Sequence, residues 1–297
     1  MLVEKRLLWE NNDKINYVAY LMDNSPDIEN ERKHPAIIIC GGGGFVRITD
    51  KEKEPVALFF LNHGFQAFVL NYTTKKIGDS TYPNPEYDLA KMIVTVREHA
   101  VEWNIDISKI AIAGFSAGGS ICASLATQWN EKFLYKKLEV SSEMLKPNAA
   151  ILAYPLLDFE YQKKKIVEDE NCNSFLEFAK MKKGDFLSMA MDAAIGVQAT
   201  EKQLKEGSPI NHITPNMPPV FIWGTANDGM VYVGQILKFA EKLSGNNIPY
   251  ELHVFESGYH GLSLANHNTT NSHEKINTDV SVWTTLAVNF LNRHFLL

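Results

Sequence analysis

The chain has 297 residues, 45% hydrophobic and 22% charged, the balance of a folded globular protein. Its 29 Lys+Arg against 35 Asp+Glu give a formal net charge of −6 with no block of like charge, which excludes the basic footprint of a nucleic-acid binder. No segment reaches the roughly 18 uninterrupted apolar residues of a membrane span, so no membrane partner is expected.

Taken in chain order, Leu2–Trp9 and Ile15–Met22 read as an antiparallel strand pair joined through Asn11-Asn12-Asp13. Met1 to Glu10 carries Glu4, Lys5 and Arg6 and lacks the apolar core of a signal peptide. Cys40, Cys122 and Cys172 form a sparse, odd set that reads as reduced thiols, not as a disulfide frame or metal ligands. A cytoplasmic protein is the expectation.

Five continuous apolar runs follow: Ala36–Ile39, Ala67–Leu70, Ile110–Ala113, Ala149–Ala153 and Val220–Trp223, with a further strand-like run at Tyr250–Phe255. Continuous rather than alternating runs predict strands covered on both faces. Between the first two, Thr49 with Glu52 matches a capping box opening a helix through Phe59 and Phe60, and Asn62-His63-Gly64 closes it. Pro83 and Pro85 precede an apolar stripe at helical spacing from Leu89 to Trp103, in which Asp88 reads as a helix-opening carboxylate. Val233 to Leu243 forms a second stripe, and Ile276 to Leu291 a third. Strands alternating with amphipathic helices predict an α/β fold: one doubly wound, mostly parallel sheet of about eight strands with helices on both faces, in a single domain over residues 1–297.

Phe159 to Gly207 breaks the rhythm, being far longer than an ordinary connection. Apolar helical patterns around Phe175–Met181 and Phe186–Ile195 make 159–207 a helical insertion, read as a cap over the substrate. Its aromatics Phe159, Tyr161, Phe175, Phe178 and Phe186 either pack or stack on a sugar.

The strongest chemical signal is Gly114-Phe115-Ser116-Ala117-Gly118-Gly119, between the strand Ile110–Ala113 and the helical run Ser120–Gln128. Strand, sharp turn and helix are the setting of a nucleophile elbow, in which glycines clear the space around a strained, exposed serine. Gly41-Gly42-Gly43-Gly44-Phe45 follows the strand Ala36–Ile39. It lacks the Lys-Ser/Thr of a phosphate loop and the dinucleotide fingerprint. Bare backbone N–H groups suit a developing oxyanion instead, with Gly43 or Gly44 and Ala117 as the donors. A serine needs a base, and the base an orienting acid. Of nine histidines, His260 alone lies in a glycine-flanked loop just beyond the last strand. Asp228 follows the strand Val220–Trp223 at the carboxyl edge of the sheet, while Asp158, one strand earlier, reads better as a helix cap.

These segments resemble the α/β-hydrolase superfamily, and within it the small bacterial carboxylesterases related to acetyl xylan esterases. The matching text includes the segments His34 to Gly44, Glu54-Pro55-Val56-Ala57, Gly114 to Gly119, Ser208 to His212 and His260 to Ala265. The resemblance implies Ser116 as nucleophile, His260 as base, Asp228 as acid, and Gly43, Gly44 and Ala117 around the oxyanion. It also implies a small polar carboxylic ester as substrate, an acetylated sugar among the candidates, with no cofactor or metal and a monomer or homodimer. A serine peptidase and a catalytically silent binding protein are the alternatives on this scaffold. Three positions depart from the family pattern: Gly41 stands where relatives often have His, Asn227 where many have a second Asp, and Tyr232 where Pro is common.

Overall fold

A strand whose every residue is apolar must be covered on both faces, and the computed structural model, which describes residues 1–297, shows how. In β3 (His34–Cys40), Ala36, Ile38 and Cys40 face one core while Ile37 and Ile39 face another. The same division holds along β4 (Gln66–Asn71), β5 (Ile105–Phe115), β6 (Ala149–Ala153) and β9 (Val220–Thr225). With β10 (Tyr250–Phe255) these form a parallel array in the order β4-β3-β5-β6-β9-β10. The N-terminal hairpin of β1 (Leu2–Trp9) and β2 (Asn12–Leu21) extends it antiparallel beyond β4, giving an eight-stranded sheet.

One face is covered by α1 (Glu54–Asn62), α9 (Thr278–Ser281) and α10 (Trp283–Phe295). The other is covered by α2 (Asn84–Glu98), α3 (Ala117–Gln128), α4 (Lys132–Leu138) and α8 (Gly234–Gly245). Residues 159–207 form α5 (Phe159–Glu168), a two-stranded hairpin of β7 (Phe175–Leu176) and β8 (Met181–Lys182), α6 (Lys183–Ile195) and α7 (Glu201–Gly207).

From β3 the chain steps to β4 on one side and later to β5 on the other. The strand order therefore reverses between β3 and β5, whose carboxyl ends adjoin with Cys40 opposite Gly114. Open sheets of this kind bind ligands in the crevice above such a reversal.

Several local expectations are corrected. Thr49 makes no side-chain cap; the segment Asp50–Glu52 is a 3-10 turn and α1 begins only at Glu54. Glu52 is drawn away from a capping role because its carboxylate is buried in the glycine loop. The run Phe175–Met181 is a hairpin rather than helix, turning at Lys180, whose φ is +52°. The C-terminal stripe is split at Val282 into two helices, with Ile276 ahead of both. Asp88 lies inside α2, where it accepts from the Trp9 indole and the Thr73 N–H and so ties the first strand to the helix.

Glu86, in the first turn of α2, is buried and its Oε2 has no hydrogen-bond partner. Burial pushes its carboxyl up to about 8 from the ordinary 4.5, with its own N–H and the Ser124 hydroxyl offsetting only part of the effect. The folded state thus keeps a proton that the unfolded chain releases. Stability is unpenalised below about pH 4.5 and declines as pH rises towards about 8, by several kcal/mol at about 1.4 kcal/mol per pKa unit. Glu86→Gln is expected to remove this slope. Its melting temperature should exceed the wild-type value at pH 8 and match it at pH 4.5; equal values at pH 8 would refute the account.

Candidate active site

Ser116 caps α3 directly after β5, with φ 52° and ψ −116°. A non-glycine residue there stores about 1–3 kcal/mol of strain, so the surroundings must enforce it. Gly118 is what lets them. A Cβ at that position would lie 2.0 Å from the carbonyl oxygen of Cys40, so only glycine allows the start of α3 to rest on the end of β3. Gly42 meets the turn from the other side, where a Cβ would lie 2.8 Å from the Cβ of Ser116. The glycine loop and the serine are thereby packed closely, with no room for a side chain on Gly42.

The loop is tethered along its length. Tyr72 donates its hydroxyl to Gly41 O at 2.6 Å, and Gly42 N–H donates to Glu52 Oε2 at 2.7 Å. Thr49 N–H donates to Gly42 O at 2.9 Å and Val46 N–H to Gly43 O at 3.2 Å. Gly41, standing where relatives often carry His, is thus fixed by a buried tyrosine. Gly43 and Gly44 have φ of 140° and 65°, and neither donates its N–H to another protein group. Ala117 is the first residue of α3, where an N–H has no intrahelical acceptor, and the positive end of the helix points the same way.

Asp228 and His260 arrive from the loops after β9 and β10. Asp228 is buried; its Oδ1 accepts from the N–H groups of Met230 at 2.8 Å and Val231 at 3.0 Å. Its Oδ2 accepts from His260 Nδ1 at 2.7 Å. A carboxylate can only accept, so the proton sits on Nδ1 and Nε2 is left bare. Ser116 donates its hydroxyl to that Nε2 at 2.7 Å. Asn227, in place of a second Asp, accepts from Gly258 N–H at 2.9 Å and so braces the histidine loop.

The residues singled out from chain order, Ser116, Asp228, His260, Gly43, Gly44 and Ala117, therefore lie together at the carboxyl edge of the sheet. Asp158 does not join them: it caps α5, accepting from Tyr161 N–H at 2.9 Å. Of the other histidines, His34, His63, His99, His212 and His253 each find partners elsewhere. No group of three or more His, Cys, Asp or Glu stands close enough to hold a metal ion, and no helix is long and apolar enough to cross a membrane.

Two neighbours escaped the sequence reading. Tyr154, at the end of β6, lies edge-on to His260 with ring centroids 5.0 Å apart, and Glu52 is buried beneath the glycine loop. Position at a strand's carboxyl end marks Tyr154 in hindsight; the sequence marks Glu52 only as the acid of a capping-box pattern.

The insertion reaches the site through α6. A Cβ on Gly44 would lie 3.3 Å from Phe186 Cζ and 3.1 Å from Ala190 Cβ. Phe178 stacks edge-on against Phe186 at 5.3 Å, and both Phe178 and Phe175 are exposed. Phe159 packs instead against Phe45, and Tyr161 lies under Lys238 beside Gly234. A clasp joins the insertion to the Asp228 loop: Lys183 and Tyr232 both donate to Asp169 Oδ2. Burial works against the Asp169 charge, but Lys183, Tyr232 and the Asn171 N–H outweigh it and hold the carboxyl below the usual range.

Comparison with known proteins bears on the fold and the family. The fold superposes on the carboxylesterase Cest-2923 from Lactobacillus plantarum WCFS1 with a TM-score of 0.80 and 27% identity, covering 100% of this chain and 99% of that one. Endo-1,4-beta-xylanase B of Butyrivibrio fibrisolvens is 29% identical over 84% of this chain and 35% of its own length. The acetylxylan esterase of Xylanibacter ruminicola is 26% identical over 84% of this chain and 45% of its own. The chain thus spans less than half the length of these two curated relatives. Residues 22–243 match the model of one family, BD-FAE, and the chain belongs to that family of α/β hydrolases.

Proposed function

We propose that the protein is a serine carboxylic ester hydrolase that removes a short acyl group, acetyl above all, from a sugar. The observation that carries this reading is the unbroken chain from Asp228 through His260 to the Ser116 hydroxyl, beside a glycine loop in which the N–H groups of Gly43 and Gly44 donate to no other protein group.

In this reaction His260 Nε2 accepts the Ser116 proton as Oγ attacks the acyl carbonyl, and Asp228 steadies the imidazolium. The oxyanion is held by the N–H groups of Gly43, Gly44 and Ala117, each well-placed donor contributing roughly 3–4 kcal/mol. His260 returns the proton to the departing alcohol, leaving acyl-Ser116. It then takes a proton from water, whose oxygen attacks the acyl-enzyme, and hands that proton to Ser116 Oγ as the acyl–Oγ bond breaks and the acid departs. The chemistry calls on no cofactor.

The sugar preference is supported by the acetylxylan esterase relative and by Phe178, exposed against the Phe186 that lies over Gly44. Exposed aromatic faces next to a polar reaction centre suit a pyranose ring, which is apolar on its faces and hydroxylated at its edge.

The test is a series of aryl esters from acetate to octanoate, run beside acetylated xylan. Fastest turnover of acetate, with acetic acid released from the polysaccharide, is expected. Fastest turnover of octanoate would replace the sugar reading with a lipase-like one, and no turnover of any ester would overturn the esterase reading itself.

A further inference from the structure

Burying a carboxylate is costly unless its oxygens are paired, so a buried glutamate that touches no cation needs a reason. Glu52 is such a residue. Its side chain leaves the Asp50–Glu52 turn and reaches under the glycine loop, with 1% of the residue exposed. Each of its two oxygens serves a different part of the site. Oε2 accepts from Gly42 N–H at 2.7 Å, and Gly42 lies so close to Ser116 that a Cβ on it would come within 2.8 Å of the serine Cβ. Oε1 accepts from the Tyr154 hydroxyl at 2.7 Å. Tyr154 in turn lies edge-on to His260, and its hydroxyl oxygen accepts from Ser263 N–H at 2.9 Å, three residues beyond that histidine.

The neighbouring residue makes the same connection. Lys51 Nζ donates to the carbonyl of Gly261, and the Ser263 hydroxyl donates to Lys51 O at 2.7 Å. One short turn therefore holds both the loop that carries the oxyanion donors and the loop that carries the base. These loops are more than 200 residues apart in sequence. Neither bond pattern places Glu52 against a reacting atom.

We propose that Glu52, acting through Gly42 and Tyr154, is a positioning residue that fixes the oxyanion donors relative to His260. The inference rests on the ester-hydrolase reading above. A carboxylate is required because two donors from two loops converge on one side chain, and only a carboxylate offers an acceptor to each. A glutamine offers one acceptor and one NH2 group, so either Gly42 N–H or the Tyr154 hydroxyl proton loses its partner.

Glu52→Gln should remain folded, with its kcat on an aryl acetate lowered roughly 10-fold or more, since small displacements of reacting groups carry large kinetic penalties. Its KM should stay within about threefold of wild type, because the mechanism assigns the loss to the transition state. The rate at which a fluorophosphonate labels Ser116 should fall in parallel. A purely structural role would lower the melting temperature and leave kcat and labelling intact at temperatures well below it. Tyr154→Phe keeps the Gly42 bond and should lose less. The double variant should lose less than the product of the single losses, since both act in one network.

A folded Glu52→Gln variant with wild-type kcat and wild-type labelling would overturn the proposal, as would multiplicative losses in the double variant. If Glu52→Gln does not fold, Tyr154→Phe carries the decision, and wild-type rates for it would overturn the proposal. The labelling arm separates the two levels of inference. A wild-type protein that hydrolyses no ester yet is labelled at Ser116 would end the esterase reading, while the labelling ratio would still decide the role of Glu52. Absence of labelling in the wild type would overturn both.

Discussion

Asp228→Asn is expected to lower ester turnover about 10³- to 10⁴-fold at neutral pH while the protein stays folded, the size of effect that follows when an imidazole is held in the wrong tautomer. The reason lies in what the other carboxylate oxygen does. Oδ1 of Asp228 accepts from two backbone N–H groups, those of Met230 and Val231. In the variant those two donors require an acceptor, so they hold the amide oxygen on their side. The NH2 group then faces His260. Nδ1 must become the acceptor, the ring proton moves to Nε2, and the atom facing Ser116 turns from acceptor into donor. Flipping the amide would set its NH2 against two N–H groups, and leaving buried donors unpaired costs about 1–3 kcal/mol each. Measurement of kcat on an aryl acetate, with a thermal melt to check folding, decides the matter. A folded variant with wild-type turnover would remove Asp228 from the reaction.

Ser116→Ala is expected to abolish turnover by about 10³-fold or more, leaving only what the oxyanion donors and binding provide. A paired substitution makes the experiment more informative. Ser116 has φ 52° and ψ −116°, which alanine tolerates no better than serine but glycine adopts freely. Ser116→Gly should therefore be as inactive as Ser116→Ala and yet more resistant to denaturant than it. Equal midpoints for the two variants would show that the turn is not strained. Undiminished turnover in either, on protein shown to be folded, would mean that another group is the nucleophile.

The parts of this molecule legible in the sequence are those whose physics is local. Continuous apolar runs announce strands buried on both faces, as in β3, where alternate residues enter different cores. A serine between glycines at a strand-to-helix junction announces its own turn. Chain order then leads to Asp228 and His260, because loops at the carboxyl edge of a parallel sheet converge whatever their separation. What escaped depends on contacts no window of sequence contains. Thr49 and Glu52 have the spacing of a capping box, but a glycine N–H and a tyrosine hydroxyl compete for the same carboxylate and win. Phe175–Met181 has the apolar content of a helix turn, yet the chain reverses at Lys180 and pairs with itself. Tyr232 stood out only as a missing proline. Its hydroxyl, which proline could not supply, reaches across to Asp169.

That last contact bears on how such proteins diversify. A segment joined to its host by the backbone alone can be exchanged by recombination at two crossover points. Residues 159–207 are joined through side chains as well, among them the ion pair of Lys183 and Asp169 on the insertion, to which Tyr232 on the loop that carries Asp228 donates its hydroxyl. The three residues form a unit of inheritance spread over two stretches of gene. A donor insertion without the acid would leave the tyrosine hydroxyl unmatched. This insertion moved into a host with proline would lose one of the partners that offset the burial of its carboxylate. Change within residues 159–207 therefore comes more readily by point substitutions away from this clasp than by wholesale exchange of the segment.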